Sequence, residues 1–451
     1  MKKKFKYIIL ILVSICLGLS APYFWDVYHY LPFKKKEIHI FFENHATAPA
    51  LSHIIEFSKL DKKTKKIIGW NRFPNRAKVF DLKAYNTIEV PMESDPVKAK
   101  FNLMNFAMTV FNEISQDPSA TLVFHTSFDK VASGLKPLLM IIPKQRIKAI
   151  NLYEDGYGDV FKWTDDILNQ EDQYSNNLKK ETEDLIKDPA QKPWHIRHVF
   201  GLREIYNVTY HFLNADKMKS TERFSKLNEL LKNANVQNIN FHDLSKTLTE
   251  EQKQIVYQLT DFDYPKFKEL MSNKKSIMFV TGFHFGSREY LDAELEVLNL
   301  ARQNKLKGVF LENPQEYTWF FKPHPAYNEI YKQEKIKEQF PDLIEISPKV
   351  PFEVFILAGL KPTLTAGFSS SLFFSLNEND VLFYGKRPKY NTSPLARLDD
   401  HYLAALLKDN LIRENQVILY EDYFSEEDKK KWLERQKKEQ EKEKNKEQTS
   451  E

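Results

Sequence analysis

The sequence predicts an α/β protein made of two doubly wound, Rossmann-like units facing a cleft, preceded by an N-terminal membrane segment. Three observations predict it. Strand-like apolar runs alternate with helical stretches of about 10 to 15 residues, the pattern of a parallel sheet with crossover helices. A polar, charged stretch from Asp172 to Pro193 divides that alternation into two blocks. An uncharged apolar run opens the chain.

The opening run extends from Tyr7 to Trp25 behind Lys2, Lys3, Lys4 and Lys6. About 20 apolar residues suffice to cross a bilayer. A cleaved secretory signal shares the basic start and apolar middle. Pro22 directly after Ser20-Ala21 weakens a cleavage site, and Ile15 ahead of Cys16 weakens a lipoprotein site. An uncleaved anchor over residues 1–36 is therefore expected. Lys34, Lys35 and Lys36 form a second basic cluster beyond the run. With lysines at both ends, the positive-inside rule assigns no orientation. The stretch Tyr23 to Tyr30 (YFWDVYHY) suits either an interfacial aromatic belt or a helix packed on the body.

Composition narrows the function classes. Net charge is +4 over 451 residues, and the excess lies in the two N-terminal clusters. A nucleic-acid partner is not expected, because such proteins gather a stronger basic bias on one face. The single cysteine, Cys16, excludes an intramolecular disulfide and a cysteine-based zinc site. No fixed-period repeat is present.

The first unit is expected over residues 37–195. Its strand candidates are Glu37 to Phe42, Thr87 to Val90, Thr121 to Phe124 and Ile147 to Tyr153, with helices at Ala50 to Phe57 and Pro96 to Ile114. The second unit is expected over residues 196–424. Its strand candidates are Val208 to Leu213, Ser276 to Thr281, Thr318 to Phe321, Thr363 to Thr365, Asp380 to Tyr384 and Gln416 to Tyr420. Helices fit Thr249 to Leu259, Ser287 to Gln303 and Pro351 to Ala358. Residues 425–451 form a charged tail that cannot bury a core.

Ligands of doubly wound sheets bind beyond the carboxyl ends of the strands, and three such ends carry polar clusters. Glu154-Asp155-Gly156 follows the strand IKAINLY. Adjacent carboxylates raise one another's pKa, which suits a general base toward a sugar hydroxyl. The plainer reading is an acidic turn. Lys322-Pro323-His324-Pro325 follows the strand YTWFF. Lysine neutralises phosphate as a point charge, histidine donates a proton or hydrogen bond, and two prolines stiffen the loop. Gly367 to Leu372 (GFSSSL) combines serines with backbone N–H groups at a helix start, an anion site or a plain N-cap. Together they supply a base on one unit, and a cation, an acid and a phosphate cradle on the other. That division fits a nucleotide-sugar transferase. No HExxH, CxxC pair, Walker loop or GxGxxG is present, and nothing calls for a metal or a cofactor.

Four segments occur in order: NLYEDG at Asn151 to Gly156, FKPHP at Phe321 to Pro325, PFEV at Pro351 to Val354, and SSSLFFSL at Ser369 to Leu376. In these the chain resembles glycosyltransferase family 80, the bacterial sialyltransferases of GT-B fold, over roughly Ile38 to Tyr420. The resemblance implies sialyl transfer from CMP-sialic acid to a galactose-terminated glycan by one inverting, metal-independent displacement. It implies Asp155 as general base and His324 as the histidine that contacts phosphate and assists CMP departure. It implies Ser370 and Ser371 on the phosphate, Glu353 on the ribose hydroxyls, and Lys322 with Pro323 on the segment that reads cytosine. Arg72, Glu154, Lys130 and Phe285 are the acceptor-side expectations.

The chain also departs from the family pattern. KPHP replaces KGHP, so Pro323 removes a backbone N–H from the cytosine-reading segment. The loop after IMFVTG is short and carries Phe285 where the family has a tryptophan. Lys130 stands for an acceptor-side histidine, with which His125 does not align. A transferase of CMP-Kdo or another nonulosonate and a non-catalytic, membrane-tethered glycan-binding protein are the alternatives. The implied setting is the bacterial inner membrane, with lipooligosaccharide as one acceptor and the membrane face left open, since CMP-sugars are cytoplasmic.

Overall fold

The computed structural model describes residues 36–43, 46–71, 80–92, 96–155, 178–188, 194, 196–213, 215, 231, 234–272, 275–282, 288–324, 336, 338–368, 370–386, 394–419, 430 and 434. The expected N-terminal anchor and nearly all of the charged tail lie outside them. Among the described residues no helix is long and apolar enough to cross a membrane.

Two parallel sheets organise the chain into two lobes. The first contains β1 (Glu37–Glu43), β2 (Lys65–Trp70), β3 (Thr87–Glu89), β4 (Thr121–Ser127), β5 (Ile147–Tyr153), β6 (Val208–Leu213) and β7 (Asn235–Ile239) in the order β3-β2-β1-β4-β5-β6-β7. The second contains β8 (Ser276–Val280), β9 (Thr318–Lys322), β10 (Ile344–Glu345), β11 (Leu364–Phe368), β12 (Val381–Lys386) and β13 (Val417–Leu419) in the order β10-β9-β8-β11-β12-β13. Counted from its own first strand, each sheet has the doubly wound order 3-2-1-4-5-6, whose switch point lies between its first and fourth strands. Those points fall between β1 and β4 and between β8 and β11.

The helices are α1 (Thr47–Lys59), α2 (Pro96–Gln116), α3 (Lys136–Ile141), α4 (Leu178–Lys187), α5 (Ile196–Gly201), α6 (Phe241–Thr247), α7 (Glu250–Leu259), α8 (Tyr264–Met271), α9 (Arg288–Arg302), α10 (Phe352–Leu357) and α11 (Pro394–Lys408). The central strands are buried along most of their length, as parallel strands covered on two faces are, and β8 is buried at all five positions. Thr249 starts α7 through a capping box with Gln252.

The expected boundary between residues 195 and 196 divides the first sheet. β6 pairs with β5 from Ile150↔Val208 to Tyr153↔His211, and β7 adds to β6. The charged stretch that suggested a linker is an insertion between two neighbouring strands. Its described helix, α4, turns Thr182 and Ile186 into the core. The change of sheet comes after β7, through α6 to α8. There α7 packs on α1 of the first lobe and α6 packs on α10 of the second.

Candidate active site

On the first lobe, side chains alternate across the end of β5. Glu154 is 1% exposed, whereas Asp155 is exposed at the carboxyl edge of the sheet. The Glu154 N–H donates to the His211 carbonyl at 3.1 Å, and its Oε2 accepts from the Leu213 N–H at 2.9 Å. Glu154 therefore ties β5 to β6 from within. Expected on the acceptor side, Glu154 is buried like Leu152 and Tyr153 before it, and Asp155 is the first exposed residue after them.

Lys130 ends the short turn Phe128–Lys130 after β4 and is half-buried. Ser127 of β4 is in register with Tyr153 of β5, so Lys130 and Asp155 follow adjacent strand ends. Arg72 lies outside the described residues, which stop at Asn71, whose N–H donates to the Glu43 carbonyl.

Beneath Asp155 lies a buried histidine group that sequence reasoning missed. His39 Nδ1 is 3.1 Å from His125 Nε2, and His125 Nδ1 is 3.0 Å from the Tyr153 phenolic oxygen. Tyr153 stacks on His211 at 4.4 Å, and His211 Nε2 is 3.2 Å from Asn151 Oδ1. His53 meets Tyr153 edge-on at 4.9 Å, and neither of its ring nitrogens has a hydrogen-bond partner. Burial lowers His39 to about 4, His53 to about 3 and His211 to about 4, and holds His125 well below its ordinary value. All four rings are neutral at pH 7. The available signal was a histidine inside each of the apolar runs EIHIFF, TLVFHTS and VTYHFL.

On the second lobe, the site gathers around the switch point. Gly367 on β11 has φ +141°, and a Cβ there would stand 2.0 Å from the Val280 carbonyl oxygen of β8. Only glycine permits this approach of the two strands. Beyond β8, Thr281 binds the β9 segment twice. Its N–H donates to the Lys322 carbonyl at 3.2 Å, and its Oγ1 accepts from the His324 N–H at 3.0 Å. His324 is thus pinned by its backbone, its side chain half-buried at the carboxyl edge. Gly282 follows, its N–H donating to the buried Glu294 of α9 at 3.3 Å.

Lys322, expected as a point charge for phosphate on the segment that reads cytosine, is a buried side chain. It is 3% exposed, and its Nζ donates to the carbonyls of Pro323 at 2.8 Å and Pro348 at 3.3 Å. Burial pushes the ammonium down to about 7, against the opposing charge of Glu353. Glu353, in the first turn of α10, is raised by burial, with its own backbone N–H and Lys322 acting the other way. The bonds of Lys322 tie the start of the 323–324 turn to the Pro348 loop that precedes α10. Pro323, between Lys322 and His324, is buried.

Ser370 caps the short 3-10 helix Ser371–Ser375, its Oγ accepting from the Leu372 N–H at 3.4 Å. Ser370 and Ser371 are both half-buried. Both thus stand just beyond β11, across the switch point from Thr281 and His324. Phe285 lies outside the described residues. Among the described residues, no group of three or more His, Cys, Asp or Glu side chains could hold a metal ion.

The arrangement provides an exposed carboxylate on one sheet edge. On the other it provides a histidine pinned by its backbone, a half-buried carboxylate and two serines around one switch point. The chain is similar in sequence and in fold to known proteins. The family model described as sialyltransferase PMO188 matches residues 38–410. An alpha/beta-galactoside alpha-2,3-sialyltransferase of Photobacterium phosphoreum superposes with a TM-score of 0.68 at 20% identity, covering 86% of this chain and 100% of that one. A sialyltransferase of Photobacterium damsela gives 0.67 at 20% identity, covering 85% and 81%. A 2,6-sialyltransferase of Photobacterium sp. JT-ISH-224, in complex with CMP and lactose, gives 0.65 at 19% identity, covering 85% and 78%. No curated protein matches the sequence.

Proposed function

The chain belongs to the family of sialyltransferase PMO188, and from that premise we propose that it moves sialic acid from CMP-sialic acid to a galactose-terminated glycan with inversion at the anomeric carbon. Asp155 takes the proton of the attacking galactose hydroxyl. The new bond forms from that oxygen to the anomeric carbon as the bond from carbon to the phosphate oxygen breaks. Negative charge then collects on departing CMP, where His324, Ser370 and Ser371 receive it. Donors fixed in place before the reaction stabilise such charge without reorganisation. Glu353 holds the ribose hydroxyls, and Lys322 braces the segment that Pro323 and His324 share. Arg72, Lys130 and Phe285 stand on the acceptor side, and Glu154 keeps the strand end from which Asp155 projects.

The observation that carries this reading is the double hold of Thr281 on β9. It presents His324 at the switch point, opposite the serine turn after β11. A second reading is a CMP-Kdo transferase: cytosine, ribose and phosphate are common to both donors, so the N–H that Pro323 lacks does not separate them. The purified full chain, given CMP-sialic acid and lactose, is expected to yield a sialylated lactose whose anomeric configuration, read by NMR, is opposite to the donor's. A product that retains the donor's configuration, or formation of free sialic acid alone, contradicts the single displacement.

Membership of the family makes the chain a glycosyltransferase. The N-terminal run supports tethering to the bacterial inner membrane, which suits a lipid-linked acceptor such as lipooligosaccharide.

A further inference from the structure

α2 has two apolar faces, and only one is covered. Phe106, Val110 and Ile114, spaced by four, are buried. Phe106 packs on Phe42 of β1 at 5.1 Å and fills the space left by the absent side chain of Gly69 on β2. On the other side Phe101, Met104, Met108 and Phe111 follow spacings of three, four and three. They are 64%, 60%, 53% and 45% exposed. This is a second stripe along the same helix, where a surface helix ordinarily carries polar residues. Gly134, just ahead of α3, abuts the same Phe42 ring, so α3 lies on the same face of the sheet. α3 exposes Met140 and Ile141. Six of the eight exposed large apolar side chains among the described residues therefore belong to α2 and α3, a concentration that marks an interaction surface.

The chain itself indicates what covers this surface. Lys36 enters the lobe at the carboxyl end of α2, with its Nζ 3.4 Å from Asp117 and its carbonyl accepting from the Thr121 N–H at 2.9 Å. The apolar run ends at Trp25, leaving residues 26–35 to bridge to Lys36. Ten extended residues reach at most about 35 Å, close to the length of α2 at about 1.5 Å per residue. A run embedded in lipid keeps the outer stripe within reach of the same surface. Charge agrees. The single acid of α2, Glu113, is paired with Lys65 at 2.9 Å, and the exposed Lys98 lies in its first turn. Aromatic and thioether side chains on one face, with a lysine in the first turn, suit a helix lying in a headgroup layer.

We propose that the outer face of α2, with Met140 and Ile141 of α3, rests on the surface of a lipid bilayer and seats the first lobe there. The proposal adds a membrane-binding surface to sialyl transfer, and rests on the Tyr7–Trp25 run being an anchor.

The test uses the full chain in vesicles of phosphatidylcholine and phosphatidylglycerol, with an environment-sensitive fluorophore on one thiol. The label goes on native Cys16, on Met108→Cys in a Cys16→Ser background, or on Lys246→Cys in that background as an exposed control. The expected result is that labels at 16 and 108 are quenched by lipid-borne nitroxide and shielded from iodide, while the label at 246 behaves oppositely. Lipid quenching at 16, with 108 as open to iodide as 246, leaves the anchor standing and overturns the docking. Quenching at neither 16 nor 108 overturns both. A label at 108 shielded from iodide but not reached by the nitroxide means that protein covers the stripe, and also overturns the proposal.

Discussion

The Nδ1 of His125 lies 3.0 Å from the phenolic oxygen of Tyr153, and Tyr153 stands two residues before Asp155. The contact joins the ends of β4 and β5 beneath the exposed carboxylate. Tyr153→Phe leaves a buried imidazole nitrogen without this partner, which typically costs about 1 to 3 kcal/mol. Urea unfolding is expected to shift to a lower midpoint with an unchanged slope.

The histidine group makes the first lobe acid-sensitive. His39, His53 and His211 have folded values of about 4, 3 and 4, against an ordinary 6.5, and His125 is also depressed. The unfolded chain therefore binds more protons between those values and 6.5. Stability is complete above about pH 6.5 and is lost as pH falls toward 4, by up to about 1.4 kcal/mol per pH unit for each ring. Urea midpoints measured from pH 7.5 to 5 are expected to fall steeply. A flat profile contradicts the neutral buried group.

His53 provides a cleaner case, because neither of its ring nitrogens is hydrogen-bonded and it is enclosed by Phe41, Trp70 and Tyr153. His53→Leu replaces an unsatisfied polar ring with an apolar side chain of similar volume. At pH 7 the variant is expected to be as stable as the parent or more stable by about 1 kcal/mol. Its acid slope is expected to be shallower by one proton, as measured by the same titration.

At the second switch point, Gly367→Ala forces a Cβ toward the Val280 carbonyl at a φ of +141°. The strain is expected to cost about 3 kcal/mol or more. The loss should appear as a lower unfolding midpoint together with weakened CMP binding by calorimetry, since β8 and β11 both end at the site.

Glu353→Gln removes the charge that opposes the burial of Lys322. If the carboxylate also holds the ribose hydroxyls, loss of a charged hydrogen-bonding partner costs about 1.5 to 3 kcal/mol. CMP affinity should then fall by about 10- to 100-fold. Unchanged affinity contradicts the ribose contact.

Much of the fold was legible because buried parallel strands are apolar on both faces. SIMFV stands out as β8 for that reason, whereas IKAINLY, with Lys148 exposed, stands out as β5 by its apolar positions alone. β7 escaped because its sequence, NVQNI, belongs to an edge strand exposed along most of its length. β2 escaped because it opens with two lysines, and Lys66 is buried only through bonds to the carbonyls of Asp61, Thr64 and Tyr85. The misplaced domain boundary followed from reading an insertion's charge as a linker's. Of the candidate site, Asp155, His324 and Ser370 each stand two residues after a strand, β5, β9 and β11. The burial of Glu154 and Lys322 depends on β6 and on the Pro348 loop, neither of which adjoins them in sequence. The histidines of β1, α1, β4 and β6 meet only because the sheet brings those elements together.

Sialyl transfer with Asp155 as base is most directly tested by CMP release from the full chain, with CMP-sialic acid beside CMP-Kdo as donor and lactose as acceptor, in parent and Asp155→Ala proteins. Lactose-dependent release from CMP-sialic acid is expected, reduced by about 100- to 10,000-fold in the variant, the usual cost of removing a general base. Release from CMP-Kdo alone, or release from CMP-sialic acid that survives in Asp155→Ala, contradicts it.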